Sequence, residues 1–158
     1  MVKHMIIIYS CYGSAHSSVV AAAIHVGMLP VDRIPGYSEI VSIPHYDRTD
    51  SELIGIPFFM GVDCYGNHVY IVGMKNGKKL VKDIIYQYLK SYGIEEQLLI
   101  VDALKTIGMV TKIGGFISRK LHLIKIGRPL TVWGIRKNYN KFIKLVQDTK
   151  NRVLTKSI

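Results

Sequence analysis

A chain of 158 residues with 49% hydrophobic and 20% charged side chains is long enough for one domain around a single core, and too evenly mixed for a disordered tail or a fibre. Two cysteines, Cys11 and Cys64, are too few for a disulfide framework and read as free thiols of a reducing compartment. The net charge of +10 is lopsided: residues 112–158 hold 12 Lys and Arg against one acid, Asp148, whereas the first 111 hold 9 basic and 10 acidic residues. That asymmetry suits a face meeting phosphate, nucleic acid or an acidic partner, and it equally describes a solvated basic face.

Met5–Tyr9 reads as a short buried strand and Ser17–Val26 as a helix of small apolar residues stopped by Gly27. Residues 31–57, punctuated by Pro35, Pro44 and Pro57, read as an irregular excursion with one short helix near Tyr37–Val41. Phe58–Asp63 and His68–Met74 flank "CYGN" and predict a β-hairpin. Lys79–Tyr92 predicts an amphipathic helix, with Leu80, Ile84 and Tyr88 on one face joined by Val81, Ile85 and Leu89. Leu98–Val101 predicts another buried strand, closed by Asp102.

Ala103–Leu121 has helical spacing interrupted by Gly114 and Gly115. Leu123–Ile126 and Leu130–Trp133 read as short strands around "GRP", with Trp133 in the core or at a helix–sheet contact. The last helix is expected at Lys137–Lys150, with Tyr139, Phe142, Ile143 and Val146 inward and Lys137, Lys141 and Lys144 as a basic stripe. Strands alternating with helices predict one α/β domain over 1–158, a three-layer sandwich whose mainly parallel sheet carries one antiparallel hairpin. No run is long enough to span a membrane, and "MVKHM" lacks a secretory pattern, so a soluble cytoplasmic protein is expected.

Chemistry is expected after the first strand, in "YSCYGSAHSSVVAAAIH". Ligands of open α/β sheets bind beyond the carboxyl ends of strands, near helix N-termini. Gly13, Ser14 and Ala15 are small enough for backbone N–H groups to approach an anion, and Ser17 and Ser18 add hydroxyls. A phosphate-bearing small molecule or nucleotide is the leading ligand. Laid over a Walker A pattern, Ala15-His16-Ser17 stand where Gly-Lys-Ser/Thr would, and Ser10 stands on the first glycine. Asp102 resembles the Walker B aspartate, which would hold magnesium with a nucleotide.

"CYGSAHSSVVAAA" also resembles the nucleophile loop of low-molecular-weight tyrosine phosphatases and related arsenate reductases. That resemblance implies Cys11 as nucleophile, Gly13 as the loop glycine and Ser18 as the thiolate-stabilising serine; the loop arginine falls on Ser17. Cys11, His16 and Asp102 are thus the candidate catalytic residues. Arg119, Arg128 and Arg136 are candidates to complete the anion site from afar, with Arg128 foremost because Pro129 stiffens its surroundings. "PHYDRTDSE", with His45, Asp47, Arg48, Asp50 and Glu52, offers an acid or base from a loop, or simply a solvated loop. No paired local spacing marks a metal site, although Cys11, His16, Cys64 and His68 supply two-Cys, two-His chemistry on paper.

Through "CYGSAHSSVVAAAIHVGMLP", "MGVDCYGNHVYIVG", "IGGFISRKL" and "IGRPLTVWGIRK" the chain resembles a bacterial family of uncharacterised proteins, domain of unknown function number 3189. The resemblance implies kinship and a bacterial cytoplasmic setting but no reaction. The competing reading is a non-enzymatic regulatory or scaffold protein that binds nucleic acid or an acidic partner through residues 112–158.

Overall fold

A computed structural model of the chain describes residues 4–49, 52–106 and 124–156, with the side chains of 124–126 set aside. The expectations at Asp50, at 107–123 and at Arg119 lie outside the described residues. In chain order the elements are β1 (Ile6–Cys11), α1 (Ser17–His25), α2 (Tyr37–Ser42), β2 (Phe58–Val62), β3 (His68–Gly73), α3 (Lys78–Lys90), β4 (Leu98–Asp102), α4 (Ile124–Lys137) and α5 (Tyr139–Lys156). Two short 3-10 turns, Glu95–Gln97 and Leu104–Thr106, flank β4.

The sheet has the order β2-β3-β1-β4. β1 lies parallel to both β3 and β4, and β2 closes the sheet as the antiparallel arm of the hairpin. The strands alternate between two apolar layers, as a pleated sheet covered on both faces requires. Ile7, Tyr9, Val69, Ile71, Leu99 and Val101 face the larger core, which α1, α2, α4 and α5 complete. Ile8 and Val72 face the smaller one with Ile6, Tyr70 and Ile100, and Val81 and Ile85 of α3 pack there. Every residue of α1 is buried, in keeping with its unbroken apolar run Val19–Ile24: it sits inside the larger layer, and Ala21, Ala22 and Ala23 permit close packing.

Five sequence expectations are corrected. The two strands around "GRP" are one helix, α4, with Pro129 inside it. The buried set Gly127, Thr131, Val132 and Ile135 has helical spacing, and burying that face outweighs the hydrogen bond the proline withholds. Trp133 falls off that face and is 51% exposed, with the Lys137 ammonium 5.0 Å above its ring. Lys137 accordingly belongs to α4 and not to the last helix. The start of Ala103–Leu121 is a 3-10 turn rather than an α-helix. In α3 only the Val81, Ile85 and Leu89 side of the expected apolar face turns inward, leaving Leu80, Ile84 and Tyr88 exposed.

At the amino end of β1 a buried polar network ties the layers together. His25 Nδ1 lies 2.7 Å from the Tyr9 hydroxyl and its Nε2 lies 3.1 Å from Asp63 Oδ2. Asp63 also accepts from the backbone N–H groups of Tyr65 and Asn67 and from the Asn67 amide. Burial is the largest influence on His25 and holds it below its ordinary value despite the Asp63 hydrogen bond. Burial pushes Asp63 the other way, but the bonds from Asn67, His25 and Tyr65 together bring its carboxyl below the usual range. A neutral His25 that donates to an ionised Asp63 and accepts from Tyr9 satisfies every group in the set. Among the described residues no helix is long and apolar enough to cross a membrane.

Candidate functional site

The chain leaves β1 and β3 in opposite directions. After β1 it passes to α1 in the larger layer, and after β3 to α3 in the smaller one. Adjacent parallel strands whose following helices lie on opposite faces open a crevice at their carboxyl ends. Cys11 and Gly73, aligned in register, stand at that point. The loop after β1 is pinned there by Met74 N–H to the Cys11 carbonyl at 3.0 Å and Lys75 N–H to the Tyr12 carbonyl at 2.9 Å. Gly73 is required by this packing: a Cβ at that position would lie 2.9 Å from Ser14 Oγ and 3.0 Å from the Gly13 carbonyl carbon.

Inside the loop, Ser14 N–H donates to Cys11 Sγ at 3.1 Å, and the Ser18 hydroxyl lies 3.0 Å from the same sulfur. The Cys11 sulfur is thus held by one backbone donor and one hydroxyl contact at the N-terminal side of α1. Cys11 itself is 4% exposed. His16 is the N-cap residue of α1, and its side chain makes no capping hydrogen bond. The first-turn N–H groups of a helix are donors suited to an anion. Ser14 Oγ, 1% exposed, has no hydrogen-bond partner among the described residues. An unpaired buried hydroxyl costs on the order of 1–3 kcal/mol.

A second segment closes over the loop. Asp47 N–H donates to the Ala15 carbonyl at 2.9 Å, and the Thr49 hydroxyl to the Ser14 carbonyl at 2.8 Å. Asp47 Oδ1 lies 3.2 Å from His16 Nε2, and Asp47 Oδ2 accepts from Arg128 Nε at 3.1 Å. The Asp47 side chain is 1% exposed and Arg128 29%. Nε–Asp47 is the one bond of Arg128 among the described residues, which leaves its two Nη groups as four further donors. Tyr46 holds α4 in place: its hydroxyl donates to Thr131 Oγ1 at 2.9 Å, Thr131 donates to the Arg128 carbonyl at 2.8 Å, and its ring meets His16 edge-on at 5.4 Å.

The backbone marks the same place. Ser14, His45, Asp47 and Lys75 are the non-glycine residues with left-handed φ among the described residues, and all four frame this edge. Each costs on the order of 1 kcal/mol, and such strain concentrates at functional sites.

Cys11, Gly13, Ser14, Ala15, His16, Ser17, Ser18 and Arg128 are thus brought together, Arg128 by a helix rather than by the expected strand end. Asp102 is not brought in. It lies one strand over, facing α3, where Lys78 Nζ donates to Oδ2 at 2.6 Å and Leu104 N–H to Oδ1 at 2.9 Å. Burial alone would raise its pKa, but those two donors and the Lys78 and Lys82 charges hold it below the ordinary value. Both oxygens being engaged, magnesium would have to displace Lys78.

Cys64 and His68 sit at the hairpin turn and the start of β3, the opposite end of β1 from Cys11 and His16. Among the described residues no three His, Cys, Asp or Glu side chains are grouped to hold a metal. Arg136, exposed in the last turn of α4, makes no contribution to the loop. In the sequence Asp47 stands out only as one member of a polar loop, and no local pattern singles out Tyr46, Thr49 or Lys78.

A family model described as a protein of unknown function, DUF3189, matches residues 6–151. The chain belongs to this family. The matched span of DUF3189 takes in the β1 loop, the 44–49 segment and Arg128 together. No curated protein and no solved structure matches the chain.

Proposed function

We propose that this member of DUF3189 binds a phosphate-bearing small molecule, with a nucleotide as the leading candidate, at the loop Cys11–Ser18. The observation that carries the reading is the convergence of three distant segments, 11–18, 44–49 and Arg128, at the N-terminus of α1 beside the crevice between β1 and β3. First-turn amides and the Ser14 hydroxyl supply donors, and Arg128 supplies the cation that the loop itself lacks. Asp47 keeps Arg128 and His16 oriented. Calorimetric titration with inorganic phosphate and a nucleotide panel, with and without magnesium, tests it. Saturable binding weakened tenfold or more by Arg128→Ala supports the reading; a folded protein with no binding at millimolar ligand refutes it.

A second reading, thiol chemistry at Cys11, draws on the contacts of its sulfur with Ser14 N–H and the Ser18 hydroxyl. The pH dependence of alkylation separates the two. A thiol that titrates well below the usual value near 8.5, and returns toward it in Ser18→Ala, supports a reactive thiolate; an ordinary profile leaves Cys11 as a structural strand end.

A further inference from the structure

α4 and α5 run almost as one helix. Around Asn138 the backbone keeps helical bonds, from Asn138 N–H to the Ile135 carbonyl at 3.0 Å and from Lys141 N–H to the Asn138 carbonyl at 2.9 Å. The buried residues Ile135, Tyr139, Phe142, Val146, Thr149 and Val153 form one stripe through both elements, at alternating steps of four and three. The side turned away from the core is therefore continuous as well. Trp133, Lys137, Lys141, Lys144 and Arg152 stand on it, all exposed, with Asp148 as its one acid. Among the described residues none of these four cations is in an ion pair, whereas Arg33, Lys78, Lys79 and Arg128 are.

We propose that this outward face binds single-stranded nucleic acid, with Trp133 as the platform for one unpaired base and Lys137, Lys141, Lys144 and Arg152 as the track for the phosphates. An indole left 51% exposed has a flat face to offer, and base–aromatic stacking needs only that. The Lys137 ammonium, 5.0 Å from the ring centroid, places a cation beside the stacked base, where its phosphate lies. Each step of four residues advances the track by about 6 Å along the helix. Asn140, Gln147 and Asn151, also exposed on this side, add hydrogen-bonding groups for sugar and phosphate. The surface is separate from the Cys11–Ser18 loop: Arg128 meets Asp47 there, and Trp133, five residues on, stands on another side of α4.

The same observations weigh against other anionic partners. A helix that lies on an acidic lipid surface needs an apolar stripe to insert, and between Trp133 and Leu154 every exposed residue of this face is polar or charged. A duplex keeps its base faces stacked inside and has none for Trp133. An acidic polypeptide satisfies the lysines but gives the indole no stacking partner.

Trp133 is the one tryptophan of the chain, so its emission reports its own contact. The full chain is titrated with an oligouridylate of about 12 nucleotides, a blunt duplex of the same length and poly-glutamate. The expected result is saturable quenching by the oligouridylate alone, with log K falling against log salt at a slope of about −3 for four phosphate contacts. By anisotropy of a labelled oligouridylate, Lys141→Gln with Lys144→Gln makes that slope shallower by about 1.4. Trp133→Ala weakens binding about tenfold while the far-ultraviolet circular dichroism stays unchanged. No binding at low salt, binding without quenching, or affinity indifferent to Trp133→Ala overturns the proposal. Equal quenching by the duplex or by poly-glutamate overturns it as well, and gives the face to that class of partner.

Discussion

Replacing Asp47 by Asn removes one negative charge from a carboxylate that is 1% exposed and links His16 to Arg128. The shape of the side chain is kept, but one of its two acceptors becomes a donor that faces another donor. Hydrogen bonds to charged groups contribute about 1.5–3 kcal/mol each. Arg128 and His16 are 29% and 12% exposed, so both regain some water and the loss is discounted to about 2 kcal/mol in total. With a urea slope near 2 kcal/mol per molar, the unfolding midpoint falls by about 1 M at unchanged slope. A double-mutant cycle with Arg128→Ala separates the ion pair from the rest, and a coupling of about 1 kcal/mol is expected. A midpoint shift below about 0.2 M, or a coupling near zero, refutes the claim that Asp47 ties α4 to the loop.

Gly73→Ala forces a methyl group against Gly13 backbone atoms 3.0 and 3.1 Å away, so it destabilises by about 1–3 kcal/mol in thermal or chemical unfolding. A neutral result there means that the loop does not rest on β3 as described. His25 takes up a proton less readily folded than unfolded, so its share of stability is complete above the unfolded value near 6.5 and declines as pH falls below it. Stability–pH curves for the protein and His25→Gln should therefore differ in slope below about pH 6.5, and parallel curves contradict the buried-neutral assignment. Asp63, held below its ordinary value, keeps its contribution until more acidic pH, where both curves fall together. Because Leu80 is 65% exposed and Val81 packs on the sheet, Leu80→Lys changes stability by under about 0.5 kcal/mol whereas Val81→Lys costs several times more; equal costs would place both residues in the core.

Where local pattern decided the structure, the sequence was legible. The runs at Ile6–Tyr9 and Leu98–Val101, the "CYGN" hairpin and the inward set Tyr139, Phe142 and Val146 all follow from hydrophobic spacing that matches a strand or a helix. "GRP" misled because a glycine and a proline suggest a turn locally, while the helix there is fixed by tertiary burial of Gly127, Thr131 and Ile135. Leu80 and Ile84 misled for the opposite reason: their spacing is amphipathic, but one helix offers the sheet only part of a wide apolar face.

The site divides along the same line. Cys11, Ser14 and Ser18 are near one another in sequence, so their meeting was readable as a strand–loop–helix turn. Asp47 and Arg128 are 81 positions apart, and no period or motif encodes that meeting. One signal was present in retrospect: Tyr46, an aromatic amid the polar run "PHYDRTDSE", is buried and carries Asp47 inward with it. Asp102 shows the converse, a motif-like aspartate at a strand end whose partner Lys78 comes from the other face of the sheet.

The most direct test of the central claim is calorimetric titration of the folded protein with inorganic phosphate and with nucleoside mono-, di- and triphosphates, repeated for Arg128→Ala and Ser14→Ala. The account predicts saturable binding of at least one phosphate ligand, weakened about tenfold or more by loss of the Arg128 guanidinium, equivalent to about 1.4 kcal/mol. Absence of heat at millimolar ligand, or affinity unaltered by Arg128→Ala, would contradict it.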